Sequence, residues 1–362
     1  MSQSVNDILL EETIRRHIEL QHYSNAEVRR AIAILNRYDP ELLAALDQAL
    51  AGDPQSIRAI DAALQQVMLQ NAAAYSAVGK ALEVTLSNFA AHESEAQQKL
   101  LQHALPDVID VKLASDVARL GMSQPIRGRL LSEWLSGMQL ARAQKIREVV
   151  RMGVVNGQTT PAIVQTIRGT KAANYTDGLL SAPRRDVETL VRTSIAHIAS
   201  VARDETAKLN SDVVESISWL ATLDSRTTIL CMTHDGERYS IPDHTPLGPL
   251  KLPWLGGPGN AHFNCRSVSV YVTKSWQAYG LNAPPEGTRA SMDGYVPESM
   301  TYAEWLKKQS AGRIEQILGP TRAKLYRDGN LDLSRFVNDK GRLLTLDQLK
   351  SRDAAAFTRA GV

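Results

Sequence analysis

The fold is decided by a stretch that begins Trp219-Leu-Ala-Thr-Leu-Asp224-Ser-Arg226-Thr-Thr-Ile-Leu-Cys231-Met-Thr-His234 and ends Ala261-His262-Phe-Asn264-Cys265-Arg266-Ser-Val-Ser-Val-Tyr-Val272. Both cysteines of the chain and three of its eight histidines lie within it. Long helical patterns flank the stretch on both sides. We therefore expect a compact, non-helical unit inside an otherwise helical protein.

Strand signals lie at both ends of this stretch. Residues 214–222 and 266–273 alternate apolar and polar side chains, which is typical of β-strands. Residues 237–241 form a third candidate strand after the Asp235-Gly236 turn. Together these segments predict a small antiparallel sheet.

Helical periodicity predicts successive helices over residues 4–105. Ser24 followed by Glu27 is a capping-box pattern, so a second helix is predicted to begin there. The dipeptides Asp39-Pro40 and Asp53-Pro54 each place an N-cap residue before a proline, and they predict two more helix starts.

The remainder of the chain reads as further helices, a linker and a tail. Amphipathic patterns predict helices from Ser123, from Thr160-Pro161 and over 186–207. The Pro- and Gly-containing segment 275–299 predicts a linker or a wrapped loop. Helix limits in the tail are marked by the capping boxes Thr301-x-x-Glu304 and Thr345-x-x-Gln348 and by the stop Gly319-Pro320.

These patterns predict an α+β protein that is mainly α. We expect a helical N-terminal region over residues 1–122 and a core of helices with a small antiparallel β unit over 123–275. Residues 276–362 are predicted to form a linker and an extended C-terminal tail with short helices.

The composition is that of an ordinary soluble protein. Of 362 residues, 43% are hydrophobic and 22% charged. With 41 Lys+Arg against 39 Asp+Glu, the net charge of +2 lacks the basic excess of a dedicated nucleic-acid-binding domain. No basic-then-apolar leader and no run of about 18 apolar residues is present. We therefore expect synthesis in a cytoplasm and no membrane contact.

The sharpest chemical pattern pairs Cys231-Met-Thr-His234 with His262-Phe-Asn-Cys265. Each half has the two-residue gap of a zinc knuckle, and two thiolates with two imidazoles form a four-coordinate set. Two alternatives need no metal: a contact or disulfide between the cysteines, or two unrelated free thiols. The cofactor prediction is therefore none or zinc.

Basic side chains cluster around the helix predicted after Ser123. One interpretation is a strip that faces DNA, and the other is the solvated face of a helix. The members are Arg127, Arg129, Arg142, Lys145, Arg147 and Arg151.

Catalytic motifs are missing from the sequence. It contains no Gly-x-Ser-x-Gly, no phosphate-binding Gly-x-x-x-x-Gly-Lys and no Gly-x-Gly-x-x-Gly. Asp224 and Arg226 have no nucleophile or second carboxylate at a convincing spacing, so we interpret them as a local ion pair or a turn. We expect no catalytic residues and no enzyme.

In combination, the residues of the central stretch resemble the phage head-morphogenesis family, the minor head proteins similar to protein F of phage Mu. The resemblance covers about residues 123–272. Family members often carry two more cysteines, at the positions of Thr228 and Ser267 here, so a four-cysteine cluster is half lost. The matching residues are Arg192-Thr193, Trp219, Asp224-x-Arg226-Thr227, Cys231 before Asp235-Gly236, Pro253 and Pro258, and His262-x-Asn264-Cys265-Arg266.

The resemblance implies a structural, low-copy protein of a tailed bacteriophage. Its place would be the capsid interior at the portal vertex, where it would act in head assembly and in DNA packaging or ejection. The implied partners are the portal protein, a scaffold or major capsid protein, and packaged DNA. The implied structural motif consists of Arg192, Trp219, Asp224, Arg226, Asn264 and Arg266.

Two other functions remain as alternatives. One is a nucleic-acid-binding module with a Cys/His zinc site. The other is a toxin-like enzyme, because the family's domain is sometimes fused to toxins.

Overall fold

A computed structural model describes residues 5–52, 56–105, 110–273, 288–297 and 299–362. These residues form mainly α-helices, with five short strands, so the predicted α+β, mainly α class is confirmed. The helices are α1 Val5–Ala51, α2 Ile57–Ala63, α3 Gln65–Ala104, α4 Val117–Ser123, α5 Leu131–Val155, α6 Thr160–Arg168, α7 Ala182–Leu209, α8 Ile229–His234, α9 Tyr302–Lys307, α10 Ala311–Leu318, α11 Pro320–Arg327, α12 Leu346–Arg352 and α13 Ala354–Ala360. The strands are β1 Val214–Leu220, β2 Arg238–Tyr239, β3 Val268–Thr273, β4 Thr288–Ser291 and β5 Gly294–Pro297.

Helix α1 is longer than the sequence predicted. It continues through Ser24 and Asp39 with Pro40 in its interior, so both predicted helix starts are wrong. A proline inside a helix removes one backbone hydrogen bond. Burial of the apolar face that follows offsets this loss, since Leu42 and Leu46 are fully buried. The predicted start at Asp53-Pro54 lies outside the described residues.

Most other helix predictions are confirmed. Helix α6 begins at Thr160, and α7 contains the predicted 186–207 segment. The helix predicted from Ser123 begins only at Leu131, because Ile126 and Arg129 first pair across a tight turn.

The helix limits predicted for the tail are confirmed, with one interruption. Thr301 and Thr345 cap α9 and α12 as predicted, and α10 ends before Gly319. The last helical segment is divided at Asp353, whose side chain accepts a hydrogen bond from the amide of Ala356 and caps α13.

The predicted sheet is confirmed as three antiparallel strands in the order β2-β1-β3. In its register Trp219 lies opposite Ser269, and Ile217 opposite Tyr239. The strands β4 and β5 form a separate hairpin around the turn Met292-Asp293. This hairpin corrects part of the predicted 275–299 linker; residues 274–287 and 298 lie outside the described part of the chain.

The described residues divide into two compact units. Unit 1 comprises Met1–Leu20, Ala91–Val117 and Ala199–Val362, and unit 2 comprises Gln21–Ala90 and Ala118–Ile198. The three consecutive segments predicted from sequence stay a prediction. Among the described residues, no helix combines the length and apolar character needed to cross a membrane.

Each unit has its own apolar core. In unit 1 the sheet and the C-terminal helices share one core, and in unit 2 the core lies among α1, α2, α3, α5 and α6. Large buried side chains of unit 1 include Trp219, Tyr239, Tyr271, Tyr302, Trp305 and Phe336.

Candidate functional site

Asp224 organises the turn that follows β1 in unit 1. Its Oδ1 accepts hydrogen bonds from the backbone N–H groups of Arg226 and Thr227, each at 3.0 Å. Asp favours such turns because its short side chain can satisfy nearby backbone donors. The prediction that Asp224 holds a turn is confirmed, but the predicted pair with Arg226 is weak: the ions lie 3.9 Å apart and the Arg226 side chain is 80% exposed.

The main partner of Asp224 is Arg266, just before β3. The guanidinium donates two hydrogen bonds to the carboxylate, at 2.6 Å to Oδ2 and 2.7 Å to Oδ1. Burial opposes ionisation of Asp224, but the hydrogen bonds from Arg266 outweigh it and lower the pKa of the carboxyl. This bidentate pair fixes the turn after β1 to the segment that enters β3.

The two cysteines meet beside this ion pair. Thr228 caps the short helix α8, and its hydroxyl accepts from the amide of Cys231 at 3.4 Å. The Sγ atoms of Cys231 and Cys265 lie 3.7 Å apart, and both residues are buried. A hydrogen bond from Cys231 lowers the pKa of Cys265, and the same contact raises the pKa of Cys231.

His262 completes a group of three. Its Nε2 lies 3.1 Å from Cys231 Sγ and 3.0 Å from the hydroxyl of Thr228. Its Nδ1 lies 2.8 Å from the carbonyl oxygen of Phe263. One ligand atom from each of Cys231, His262 and Cys265 falls within 4.8 Å of the others.

His234, the fourth predicted ligand, is not part of this group. Its Nδ1 lies 2.8 Å from the carbonyl oxygen of Leu230, and its Nε2 lies 3.1 Å from that of Pro253. Burial lowers the pKa of this imidazole. Since both ring nitrogens face carbonyl oxygens, the structure assembles three of the four predicted ligands.

Trp219 on β1 packs in an aromatic group that includes His234. It is 1% exposed, and its ring centroid lies 4.7 Å from that of His234 and 6.0 Å from that of Trp254. His234 therefore packs in this aromatic group, and its ring nitrogens face the carbonyl oxygens of Leu230 on α8 and of Pro253.

A second buried ion pair was missed from sequence. The carboxylate of Asp235 accepts from both terminal nitrogens of Arg289, at 3.0 and 3.1 Å, and from the amides of Ala221 and Tyr302. Arg289 lies on β4, inside the predicted linker. The Asp293-Gly294 turn signal would have predicted this hairpin, although not the partner of its arginine.

Arg192 and Asn264, which were also predicted to belong to the motif, lie in different units. Arg192 lies on α7 in unit 2 and donates to Glu188 at 2.9 Å and to Asn25 at 2.7 Å. Asn264 lies between His262 and Arg266 with a left-handed φ of 55°, a conformation that asparagine tolerates better than most residues. Arg192 therefore belongs to unit 2, whereas Asn264 lies in the turn between His262 and Cys265 in unit 1.

The basic cluster is not one continuous strip. Arg142 is 3% exposed and donates to Asp39 at 2.7 Å, and Arg151 donates to Asp61. Arg129 lies over the ring of Trp134. Arg127, Lys145 and Arg147 are exposed. Arg142 is thus structural, which corrects its assignment as a DNA-facing side chain.

The cavity at the Cys–His group is too small for a substrate molecule. The cavity beside the cysteines has a volume of about 10 Å³, which matches about one water molecule. Its walls include Thr228, Cys231, His262 and Ser267. This arrangement can bind a single ion or water between two segments of the chain.

Residues 144–270 match the model of the family described as Phage Mu protein F like protein. Comparisons with curated proteins and with solved structures each gave no match. The match confirms the resemblance seen in the sequence over residues 144–270 of the 362-residue chain.

Proposed function

We propose that this chain is a structural minor head protein that acts at the portal vertex of a tailed bacteriophage during head assembly. One observation carries the proposal: the residues of the central motif around Asp224 and Cys231 contact one another. Asp224 and Arg266 bind each other, and Cys231, His262 and Cys265 form one group. The cavity lined by Cys231 and His262 has a volume of only about 10 Å³. Such a motif stabilises a fold.

Exposed apolar side chains on α5 support a protein partner. Leu140, Met152 and Val155 are 61%, 58% and 75% exposed. At about 100° per residue, their positions fall within one face of roughly 120°. Apolar side chains on one helical face fit contact with another protein, such as the portal, better than contact with phosphates.

Reconstruction of procapsids without imposed symmetry tests the location. Procapsids would be made with this chain carrying a fused fluorescent protein as a size marker. We expect marker density at a single vertex, next to the portal. Density spread over the whole shell, or none in the procapsid, would contradict the proposal.

Binding to purified portal protein tests the surface. We expect the double variant Met152→Ser and Val155→Ser to weaken binding at least about tenfold if these side chains are central to the contact. The control is Lys80→Ser, an exposed position on α3 of the same unit, which should bind normally. Unchanged binding by the double variant would exclude this face of α5.

The salt dependence of binding separates this function from the nucleic-acid alternative. Contact through apolar side chains should change little with salt, whereas DNA binding should weaken by orders of magnitude between about 50 and 200 mM salt.

The enzyme alternative makes a different prediction. It expects an activity that His262→Ala abolishes while head assembly continues.

A further inference from the structure

The distances among Cys231, His262 and Cys265 fit a tetrahedral metal ion. In a zinc site with Zn–S bonds of about 2.3 Å, two sulfur ligands lie roughly 3.8 Å apart. The two Sγ atoms here are 3.7 Å apart, and the imidazole nitrogen lies 3.1 Å from one of them. Small side-chain rotations would therefore place all three atoms around one ion.

Hydrogen bonds to the backbone orient two of these ligands, His262 and Cys265. The Nδ1 of His262 lies 2.8 Å from the carbonyl oxygen of Phe263, which can only accept a hydrogen bond. The proton is therefore assigned to Nδ1, and the Nε2 lone pair faces the sulfur atoms. The amide of Gly259 donates to Cys265 Sγ at 3.4 Å. In metal sites, a hydrogen bond from the second ring nitrogen orients a histidine ligand, and a backbone amide that donates to sulfur stabilises a thiolate.

A fourth coordination position lies at the cavity wall. The cavity of about 10 Å³ touches both Thr228 and Ser267. Ser267 is 3% exposed, and its hydroxyl lies near Cys231 without a hydrogen bond to any oxygen or nitrogen atom of the described residues. A water molecule on the metal would give this buried hydroxyl a partner.

We propose that Cys231, His262 and Cys265 bind one zinc ion, with a water molecule at the fourth position beside Thr228 and Ser267. Two thiolates balance the charge of the ion, and two soft ligands with one imidazole favour zinc over magnesium or calcium. The ion connects α8 to the segment that enters β3. His234 is excluded, since both its ring nitrogens face carbonyl oxygens. The site is independent of the function proposed above.

Metal content of the purified full-length chain tests the ligand set. We expect about one zinc ion per chain, falling below about one-tenth in Cys231→Ser, Cys265→Ser and His262→Ala. The matched control is His234→Gln, which should keep its zinc. Loss of zinc from a folded His234→Gln variant, to the same degree as from His262→Ala, would overturn the three-residue set.

Cobalt substitution tests the site even if the variants above fail to fold. Co²⁺ bound by two thiolates gives sulfur-to-metal charge-transfer absorption in the near ultraviolet. The variant Ser267→Cys adds a thiolate at the fourth position, so this absorption should rise by about half.

Three results would overturn the proposal. The first is a wild-type chain that contains no zinc and takes up no Co²⁺. The second is a Ser267→Cys spectrum identical to that of the wild type. The third is a chain whose mass, measured without reductant, shows the loss of two hydrogens, since Cys231 and Cys265 would then be joined as a disulfide.

Discussion

Asp224 and Arg266 are 42 positions apart in sequence, and their two short hydrogen bonds join the segments that carry the cysteines. The sequence showed Asp224 and its local neighbour Arg226, because Asp-x-Arg spacing is visible in a linear chain. It did not show that the distant arginine is the stronger partner. Long-range pairing depends on the strand register, which brings Leu220 opposite Val268.

We predict that Arg266→Ala destabilises unit 1 by about 2 kcal/mol, because it leaves a half-buried carboxylate without its counter-ion. The side chains of Arg266 and Asp224 are 22% and 16% exposed, which places the effect below that of a fully buried pair. Arg226→Ala is the matched control, and its effect should stay within about 0.5 kcal/mol. Urea denaturation measures both. Equal effects of the two substitutions would show that Arg266 has no special role.

His17 should make unit 1 sensitive to mild acid. Burial, with the neighbouring Arg203 and Arg266 guanidinium groups, lowers the pKa of His17 from 6.5 to about 4. Between these values the unfolded chain binds a proton that the folded chain does not. Stability should therefore fall as the pH decreases from 6.5 to 4, by up to about 3 kcal/mol.

The substitution His17→Gln should remove this part of the pH dependence. Denaturation midpoints at pH 7 and pH 5 measure it, and the exposed His103→Gln is the control. If His17→Gln loses as much stability between the two pH values as the wild type, the half-buried imidazole of His17 is not the cause.

At the scale of elements, three helices of unit 2 meet at one carboxylate. Asp39 on α1 accepts from Arg142 on α5 at 2.7 Å and from Arg184 on α7 at 2.8 Å. The sequence presented Asp39 as an N-cap before proline and Arg142 as one member of a basic cluster. Both interpretations were local, and neither could include the tertiary ion pair that decides the role of each residue.

We predict that Arg142→Ala destabilises unit 2 by about 3 kcal/mol, since removing one partner of a buried ion pair leaves its charge poorly compensated. Arg184 still contacts Asp39, which holds the cost at the lower end of the usual range. The exposed Arg147→Ala on the same helix should have little effect. Thermal unfolding of the two variants distinguishes them. A DNA-binding role for Arg142 would instead leave stability unchanged and weaken DNA binding.

At the scale of the whole molecule, the fold class was predictable because it depends on periodicity. Alternating residues predicted β1 and β3, and capping boxes predicted α9 and α12. What the sequence could not show is where the C-terminal helices pack. Trp305 and Phe336 belong to the same apolar core as Trp219 on the sheet. Apolar patterns predict which face of each helix is buried, but they do not predict which element packs against that face.

This shared core predicts that unit 1 requires its C-terminal helices. A chain that ends at Met300 loses Trp305, Leu306, Phe336 and Phe357, all buried, and the hydroxyl of Tyr302 that donates to the carbonyl of Asp224 at 2.7 Å. Each large apolar side chain contributes about 1.5–3 kcal/mol by burial. Their sum is comparable with the whole stability of a domain, about 5–15 kcal/mol. Unit 1 of the shortened chain should therefore not fold cooperatively.

Limited proteolysis and thermal unfolding measure the loss. We expect rapid cleavage within residues 199–273 of the shortened chain, whereas removal of only the exposed Gly361 and Val362 should leave the wild-type pattern. Loss of folding in the shortened chain would also concern head assembly. A C-terminal segment that completes the core of unit 1 cannot at the same time extend away from unit 1 to bind a partner. If the chain ending at Met300 unfolded at the wild-type temperature, the C-terminal helices would be an independent module, and contact with a head partner through them would become the better interpretation.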